Sequence, residues 1–206
     1  MTRWMVTAPS GRYNSAMPPS ARDRILNAAE ERLLSIGPGG LVLDAVAADA
    51  GVSKGGLLYH FRSKEALVAG LCDRMLEGFD RALAGGEEAE ASTQDDPSGA
   101  FARAYLASTV TGEGKAADNS AQVMAGLLAT LGRESEHLEV IRLRFAAWQA
   151  RLLEDGLDDT TATIVRLAAD GLWLSALLGL PTLDPDLGAR TLRALQDMTR
   201  PSRSGA

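Results

Sequence analysis

One cysteine, Cys72, excludes an internal disulfide framework and fits a reducing compartment, so a cytoplasmic protein is expected. With no second thiol to resolve an oxidised form, Cys72 reads as a small core residue rather than a redox sensor. The two histidines, His60 and His137, lie far apart, and with one cysteine they supply no tetrahedral ligand set. No metal and no cofactor is therefore expected. No apolar run reaches the length of a membrane span. Residues Met1–Ser20 have no continuous apolar stretch and do not read as a secretory signal. Strict alternation of apolar and polar residues is missing, which leaves no sheet to propose. Gly112-Glu113-Gly114-Lys115 fails as a phosphate loop, because Thr109 stands where the first glycine belongs and Ala116 lacks the metal-binding hydroxyl. Gly37-Pro38-Gly39-Gly40 follows a helix, so it is no dinucleotide fingerprint. No nucleophile–base motif appears, and an enzyme is not expected.

What is present suits a helical protein. Hydrophobic residues make up 46% and charged residues 23%, enough apolar surface for a folded core. Alanine and leucine dominate while aromatics are few, which favours helix. The net charge of −6 is unevenly spread. Residues 1–78 hold nine basic and eight acidic side chains, and the remainder sits at −7. A near-neutral head with a local basic stripe and an acidic body suggests that DNA would meet one end only.

Helical spacing of apolar residues marks out about nine helices. Residues 1–19 read as a disordered tail, whose Arg3 and Arg12 would also suit an arm in a minor groove. Ser20 is placed to cap a first helix carrying Ile25, Ala28, Ala29, Leu33 and Ile36. A second is expected from about Leu43 to Ala50 and a third from about Lys54 to Phe61. The fourth should run from Lys64 into the region of Arg81–Leu83, followed by a polar loop over Ala84–Ser98. Four more segments follow, with Phe101 to Val110, Val123 to Leu131, Leu138 to Leu152, and Thr160/Thr161 to Leu180. Gly112 and Gly132 are read as closing the first two. Beyond Pro181 and Pro185 a last helix carries Leu187, Leu192, Leu195 and Met198.

The stretch from Ala47 to Leu67 has the layout of a helix-turn-helix. Gly51 can take the left-handed conformation that stops a helix, and Ser53 can cap the next. From Val52 to Lys64 there is no acid, while Lys54, Arg62 and Lys64 are basic, the balance a segment near phosphates needs. Leu57 and Phe61 read as core. The pattern Asp44, Ala47-Ala48-Asp49-Ala50-Gly51-Val52-Ser53-Lys54-Gly55, Leu57, His60-Phe61-Arg62-Ser63-Lys64-Glu65-Ala66-Leu67 resembles the DNA-binding domain of the tetracycline-repressor (TetR) family. Arg22-Asp23-Arg24-Ile25-Leu26-Asn27-Ala28-Ala29 is similar to that family's first helix. The likeness is specific over about Ser20–Leu71; Leu167-Ala168-Ala169-Asp170-Gly171-Leu172-Trp173-Leu174 is similar to the dimer-forming helix of some subgroups.

The resemblance implies an all-α, homodimeric transcription regulator. Residues 20–66 would form the three-helix DNA-binding domain, 67–200 a helical regulatory and dimerisation domain, and 201–206 a disordered end. A small-molecule effector would release the protein from an inverted-repeat operator in double-stranded DNA, with no membrane involved. The DNA-contacting positions carried over are Ser53, Lys54, Gly55, Gly56, Tyr59, His60 and Lys64. Three positions depart from the family pattern: Gly56 where a hydroxyl is common, Leu58 where Tyr is common, and Leu41-Val42 where a hydroxyl pair usually caps helix two. Candidate pocket residues are Phe101, Tyr105, Met124, Leu128, Phe145, Trp148 and Trp173, each of which has plain core as its competing reading. Trp173, Leu177, Leu192 and Leu195 are candidates for the dimer seam. The alternatives are a helical adaptor for protein partners, an activator or nucleoid-type DNA binder without a ligand, and, last, an enzyme on the C-terminal bundle.

Overall fold

In the computed structural model, residues 18–92, 96–110, 120–130, 136–181 and 183–200 are described. Among them every regular element of more than one turn is helical. The arm with Arg3 and Arg12, the closing glycines Gly112 and Gly132, Leu131, the failed phosphate loop and the 201–206 end lie outside the described residues. So does the side chain of His137.

Helix α1 (Ala21–Ile36) begins with a capping box: Ser20 Oγ accepts from the Asp23 N–H, and Asp23 accepts from the Ser20 N–H. Asp23 is thereby held below the usual carboxylate range, chiefly by its hydrogen bond from the Ser20 side chain. Gly37, at φ 85°, stops the helix in a conformation that costs a side chain dearly, and Pro38–Gly40 adds one 3₁₀ turn. Helix α2 (Leu43–Asp49) starts on Val42, which offers no capping side chain. That is the local consequence of Leu41-Val42: Leu41 is buried in the core and Val42 sits half-exposed at the cap. Gly51, at φ 65°, makes the turn into α3 (Lys54–His60), and Ser53 Oγ accepts from the Gly56 N–H at 3.0 Å.

Helix α4 runs from Lys64 to Ser92, 29 residues, well past the expected stop near Leu83. The polar loop expected over Ala84–Ser98 is therefore helical as far as Ser92. Its glycines and acids misled the local reading because their use is tertiary. Gly86 lets α5 (Ala100–Thr109) approach so closely that an added Cβ would lie 3.0 Å from that of Ala104. Glu87 pairs with Arg151, and Glu90 accepts from Arg103 Nε at 2.7 Å. Helices α6 (Ser120–Thr130), α7 (Glu136–Leu153), α8 (Asp159–Leu177) and α9 (Pro185–Met198) complete the body. Helix α8 ends at Leu177 rather than Leu180, through Gly179 at φ 63°.

Two apolar cores result. The head core gathers Ile25, Leu26, Leu33, Val46, Leu57 and Phe61 with Leu67, Val68, Leu71 and Cys72 of α4 and Val123 and Leu127 of α6. Burial pushes the Cys72 thiol up to about 11, so it stays protonated and packs as an apolar group. The body core holds Leu76 and Leu83 of α4 with Phe101, Tyr105, Leu106, Trp148, Leu152, Val165, Leu192 and Leu195.

The start of α5 is held from a distance in sequence. Asp155, at the end of α7, accepts from the buried N–H groups of Phe101 and Ala102 at 3.0 and 2.8 Å, and its own carbonyl accepts from Gly99 N–H at 2.8 Å. Burial pushes the Asp155 carboxyl upward, and those N–H groups pull it back. Arg103 ties the same corner to α9 by donating to the Thr199 carbonyl at 2.8 Å.

The head is seated on α4 at Gly70, where an added Cβ would fall 2.6 Å from Phe61 Cε1. Arg74 reinforces the seat: it donates to Asn27 Oδ1 at 2.6 Å and the Leu26 carbonyl at 3.0 Å, and pairs with Glu30. Two effects oppose each other in Gly70→Ala. Alanine recovers up to about 1 kcal/mol of helix propensity, while overpacking a buried ring costs roughly 1–3 kcal/mol. Phe61 is buried and covered by the Arg22 guanidinium 5.4 Å from its ring centroid, so overpacking should win. Denaturant unfolding of Gly70→Ala is expected to show a loss of about 1–2 kcal/mol; an unchanged or raised stability would contradict the tight seat.

Candidate nucleic-acid interface and cavity

Helix α3 turns Leu57 into the core and leaves Lys54, Gly55, Tyr59 and His60 exposed. Leu58 packs on the head core while Tyr59 stands 83% exposed, so the phenol faces outward despite its one-residue displacement from the common Tyr position. Its ring meets that of His60 edge-on, with centroids 5.1 Å apart. Ser53 is committed to capping, and Gly56, half-buried above it, offers backbone alone. Lys54 is paired with Asp44 of α2 at 2.9 Å. Both partners are mostly exposed, so the pair contributes under about 1 kcal/mol. Lys64 opens α4, partly exposed, where the N-terminal helix dipole adds to its attraction for a phosphate. The Ser63 Oγ accepts from Ala66 N–H at 3.2 Å and caps that end. The seven carried-over positions thus lie on α3 and its flanks, with side-chain chemistry left to Lys54, Tyr59, His60 and Lys64.

The body holds a partly open cavity of about 60 Å³ between α4, α5, α6, α7 and α8. Of the candidate pocket residues it brings together Tyr105, Met124, Phe145, Trp148 and Trp173. Two others belong elsewhere. Phe101 is buried beneath the Arg151 guanidinium, 5.2 Å from its ring centroid, and Leu128 is 37% exposed. The cavity also takes in Met75, Leu76 and Phe79 of α4 with Ser108, Thr109 and Asp170, none of them among the sequence candidates for a pocket. Asp170 had a signal: it is a lone acid in the apolar run Leu167–Leu174.

Polar order in the cavity centres on that acid. The Tyr105 hydroxyl donates to Asp170 Oδ1 at 2.6 Å, and Arg166 donates to Oδ2 at 2.8 Å. Burial is the largest influence on Asp170 and pushes its carboxyl upward, against the pull of Tyr105 and Arg166. The Tyr105 phenol is raised too, by burial first and then by the Asp170 charge, so it remains a donor. On the far side Trp148 Nε1 donates to Asp80 Oδ1 at 2.8 Å, and Asp80 also pairs with Arg144. Phe79 packs edge-on against Tyr105 and Trp148, with centroids 5.6 and 4.8 Å apart.

The seam candidates divide. Leu192 and Leu195 are buried in the protomer's own core, Trp173 borders the cavity, and Leu177 is half-buried. The exposed apolar residues of α8 are instead Ile164, Leu167 and Leu174, with Leu178 just beyond its end. Among the described residues no helix is long and apolar enough to cross a membrane, and no group of acids, histidines and cysteine could hold a metal ion.

Residues 25–71 match the family described as bacterial regulatory proteins, tetR family, and residues 99–200 match the tetracyclin repressor-like C-terminal domain. A comparison with curated proteins finds no match. Among solved structures, the multidrug binding protein EbrR in complex with malachite green is 28% identical, with 88% of this chain and 99% of that chain covered and a TM-score of 0.60. A TetR-family member from Streptomyces coelicolor is 26% identical, covering 86% and 98%, with a TM-score of 0.61. A transcriptional regulator from Rhodococcus sp. shares the fold at 20% identity, covering 87% and 96%, with a TM-score of 0.68. With both halves matched and a helix-turn-helix whose outward face is polar and basic, the chain belongs to the TetR family and is a DNA-binding transcriptional regulator rather than an enzyme.

Proposed function

We propose that this regulator is a cytoplasmic homodimeric repressor that leaves an inverted-repeat operator when a small molecule enters the body cavity. The observation that carries the reading is the composition of α4. Leu67, Val68, Leu71 and Cys72 belong to the head core, and within the next two turns Met75, Leu76 and Phe79 form a cavity wall. Helix α6 repeats the arrangement, with Val123 and Leu127 in the head core and Met124 at the cavity. It also presses on the head at Gly126, where an added Cβ would fall 2.9 Å from Leu33. At about 60 Å³ the cavity holds a few waters, far below the roughly 300–1,000 Å³ of a drug-sized site. A guest of that size must push its walls apart, and two of those walls also hold the head. Two half-sites spaced by about 34–36 Å or a multiple require a fixed head separation, so a small displacement breaks phosphate contacts on both sides. EbrR, of similar fold, has been captured with malachite green and with ethidium, which supports the cavity as the effector site.

The dimer rests on the exposed apolar face of α8. Ile164, Leu167, Leu174 and Leu178 recur at helical spacing on one stripe, with Gly171 open between them. A second copy, applied through a two-fold axis, is the occupant that such a self-complementary stripe fits. Leu167→Glu is expected to convert the dimer to a monomer at micromolar concentration in sedimentation, with helix content retained; a persistent dimer would place the seam elsewhere.

The DNA reading is tested by gel shift against the intergenic DNA beside its own gene. Salt-sensitive binding to an inverted repeat there is expected, and its absence would sink the proposal. Lys64→Ala should weaken binding to all sequences alike and flatten the salt dependence by about one charge per protomer. Asp44→Asn should act in the opposite direction by freeing Lys54, strengthening operator binding about threefold at low salt, the order expected of one exposed pair. Weakened binding would mean that Asp44 positions Lys54 instead of competing for it.

A further inference from the structure

We infer that the cavity selects a flat organic cation, with Asp170 as its counter-charge and the rings of Phe79, Tyr105 and Trp148 as its walls. The inference rests on the reading of this cavity as the effector site.

Charge is the first argument. Among the described residues that line the cavity, Asp170 is the one carboxyl group and no basic side chain is present; burial pushes that carboxyl upward, while the Tyr105 hydroxyl and the Arg166 guanidinium favour its charged form. Arg166 pairs with it from along α8, through Oδ2, and is not part of the cavity wall. An anion entering would leave water, meet a carboxylate, and find no cation on the wall; burying a charge without a partner is prohibitively costly. A cation would meet the Asp170 carboxylate, whose Oδ1 bonds to the Tyr105 hydroxyl at 2.6 Å and retains a second acceptor position.

The aromatic wall is the second argument. Phe79, Tyr105 and Trp148 lie within 4.8–6.3 Å of one another, centroid to centroid, each pair packed edge-on. The faces of such rings are electron-rich, so a desolvated delocalised cation gains from them what a neutral guest of equal area does not. Trp148 is further polarised in that sense, because its N–H donates to the Asp80 carboxylate at 2.8 Å.

A third observation marks the place as a binding site rather than filled core. Thr109 lines the cavity, is only 5% exposed, and its hydroxyl has no hydrogen-bond partner among the described residues. A buried hydroxyl left unpaired costs roughly 1–3 kcal/mol, a cost that a polar substituent on a bound guest would remove.

Three tricyclic probes of nearly equal size test the inference on the full-length protein: N-methylacridinium, anthracene methanol and anthracene carboxylate. Affinities from fluorescence or calorimetry are expected to favour the cation over the neutral probe by about tenfold, with the carboxylate weakest. Asp170→Asn should shrink the cation's advantage over the neutral probe to about threefold or less. If the neutral or anionic probe binds the native protein as tightly as the cation, the charge selectivity is wrong while the effector site stands. An undiminished preference for the cation in a folded Asp170→Asn variant would likewise overturn the role of Asp170. Should that variant fail to fold, the three-probe ranking on the native protein still decides the selectivity. If none of the probes binds, the cavity is plain core, and both the cation inference and the effector-site reading fall.

Discussion

Helix α4 cannot move without disturbing two cores at once. Its first two turns supply Leu67, Val68, Leu71 and Cys72 to the head, and its middle supplies Leu76 and Leu83 to the body. Protein interiors are close-packed and deform by discrete repacking rather than by smooth compression. Under the proposed function, a helix shared in this way would transmit displacement, because neither core can absorb it. The head is fastened to it by shape at Gly70 and Phe61 and by hydrogen bonds from Arg74 to α1. At its other end the body holds it through Gly86 against Ala104 and the acid–arginine pairs of Glu87 and Glu90.

Electrostatics divides the labour along the same axis. From Val52 to Lys64, across α3 and up to the first residue of α4, the chain carries Lys54, His60, Arg62 and Lys64 without an acid; Asp44 of α2 binds Lys54 weakly at the surface, and Glu65 stands exposed on the first turn of α4. Further into the body, arginines are spent internally: Arg103, Arg144, Arg151 and Arg166 all pair with acids of the same protomer. Positive charge is therefore available to phosphates at the head, while the acidic excess of the body would repel them elsewhere. The same logic extends to the cavity, where Arg166 sits along the helix from Asp170 and the described wall holds a carboxyl group and no basic side chain.

Much of the head was legible in the sequence because its signals are local. Ser20, Gly37, Gly51, Ser53 and Ser63 each cap or stop a helix using neighbours within a few residues, and Leu57 falls on the inward face of α3, with Phe61 four residues on at its extended C-cap. The body was less legible. Gly85-Gly86 with the acids after it reads as loop by composition, yet α4 continues through it because α5 and Arg151 need that surface. Leu192 and Leu195 looked suited to a seam between copies, but α9 turns them inward, a rotation that the period of a single helix cannot reveal. Phe101 and Tyr105 stand one turn apart on α5; the first is covered by Arg151 and the second borders the cavity.

By itself the sequence determined the all-helical class, the helix-turn-helix with its caps, the charge imbalance and the family, since each depends on residue identity and short spacing. Tertiary structure alone decided which aromatic rings converge, that Asp170 meets Tyr105 across 65 residues, that Asp155 caps a helix from 54 residues away, and which leucines stay exposed on α8. The physical reason is that a helix fixes the relative directions of its own side chains, whereas its rotation and approach are set by what packs against it.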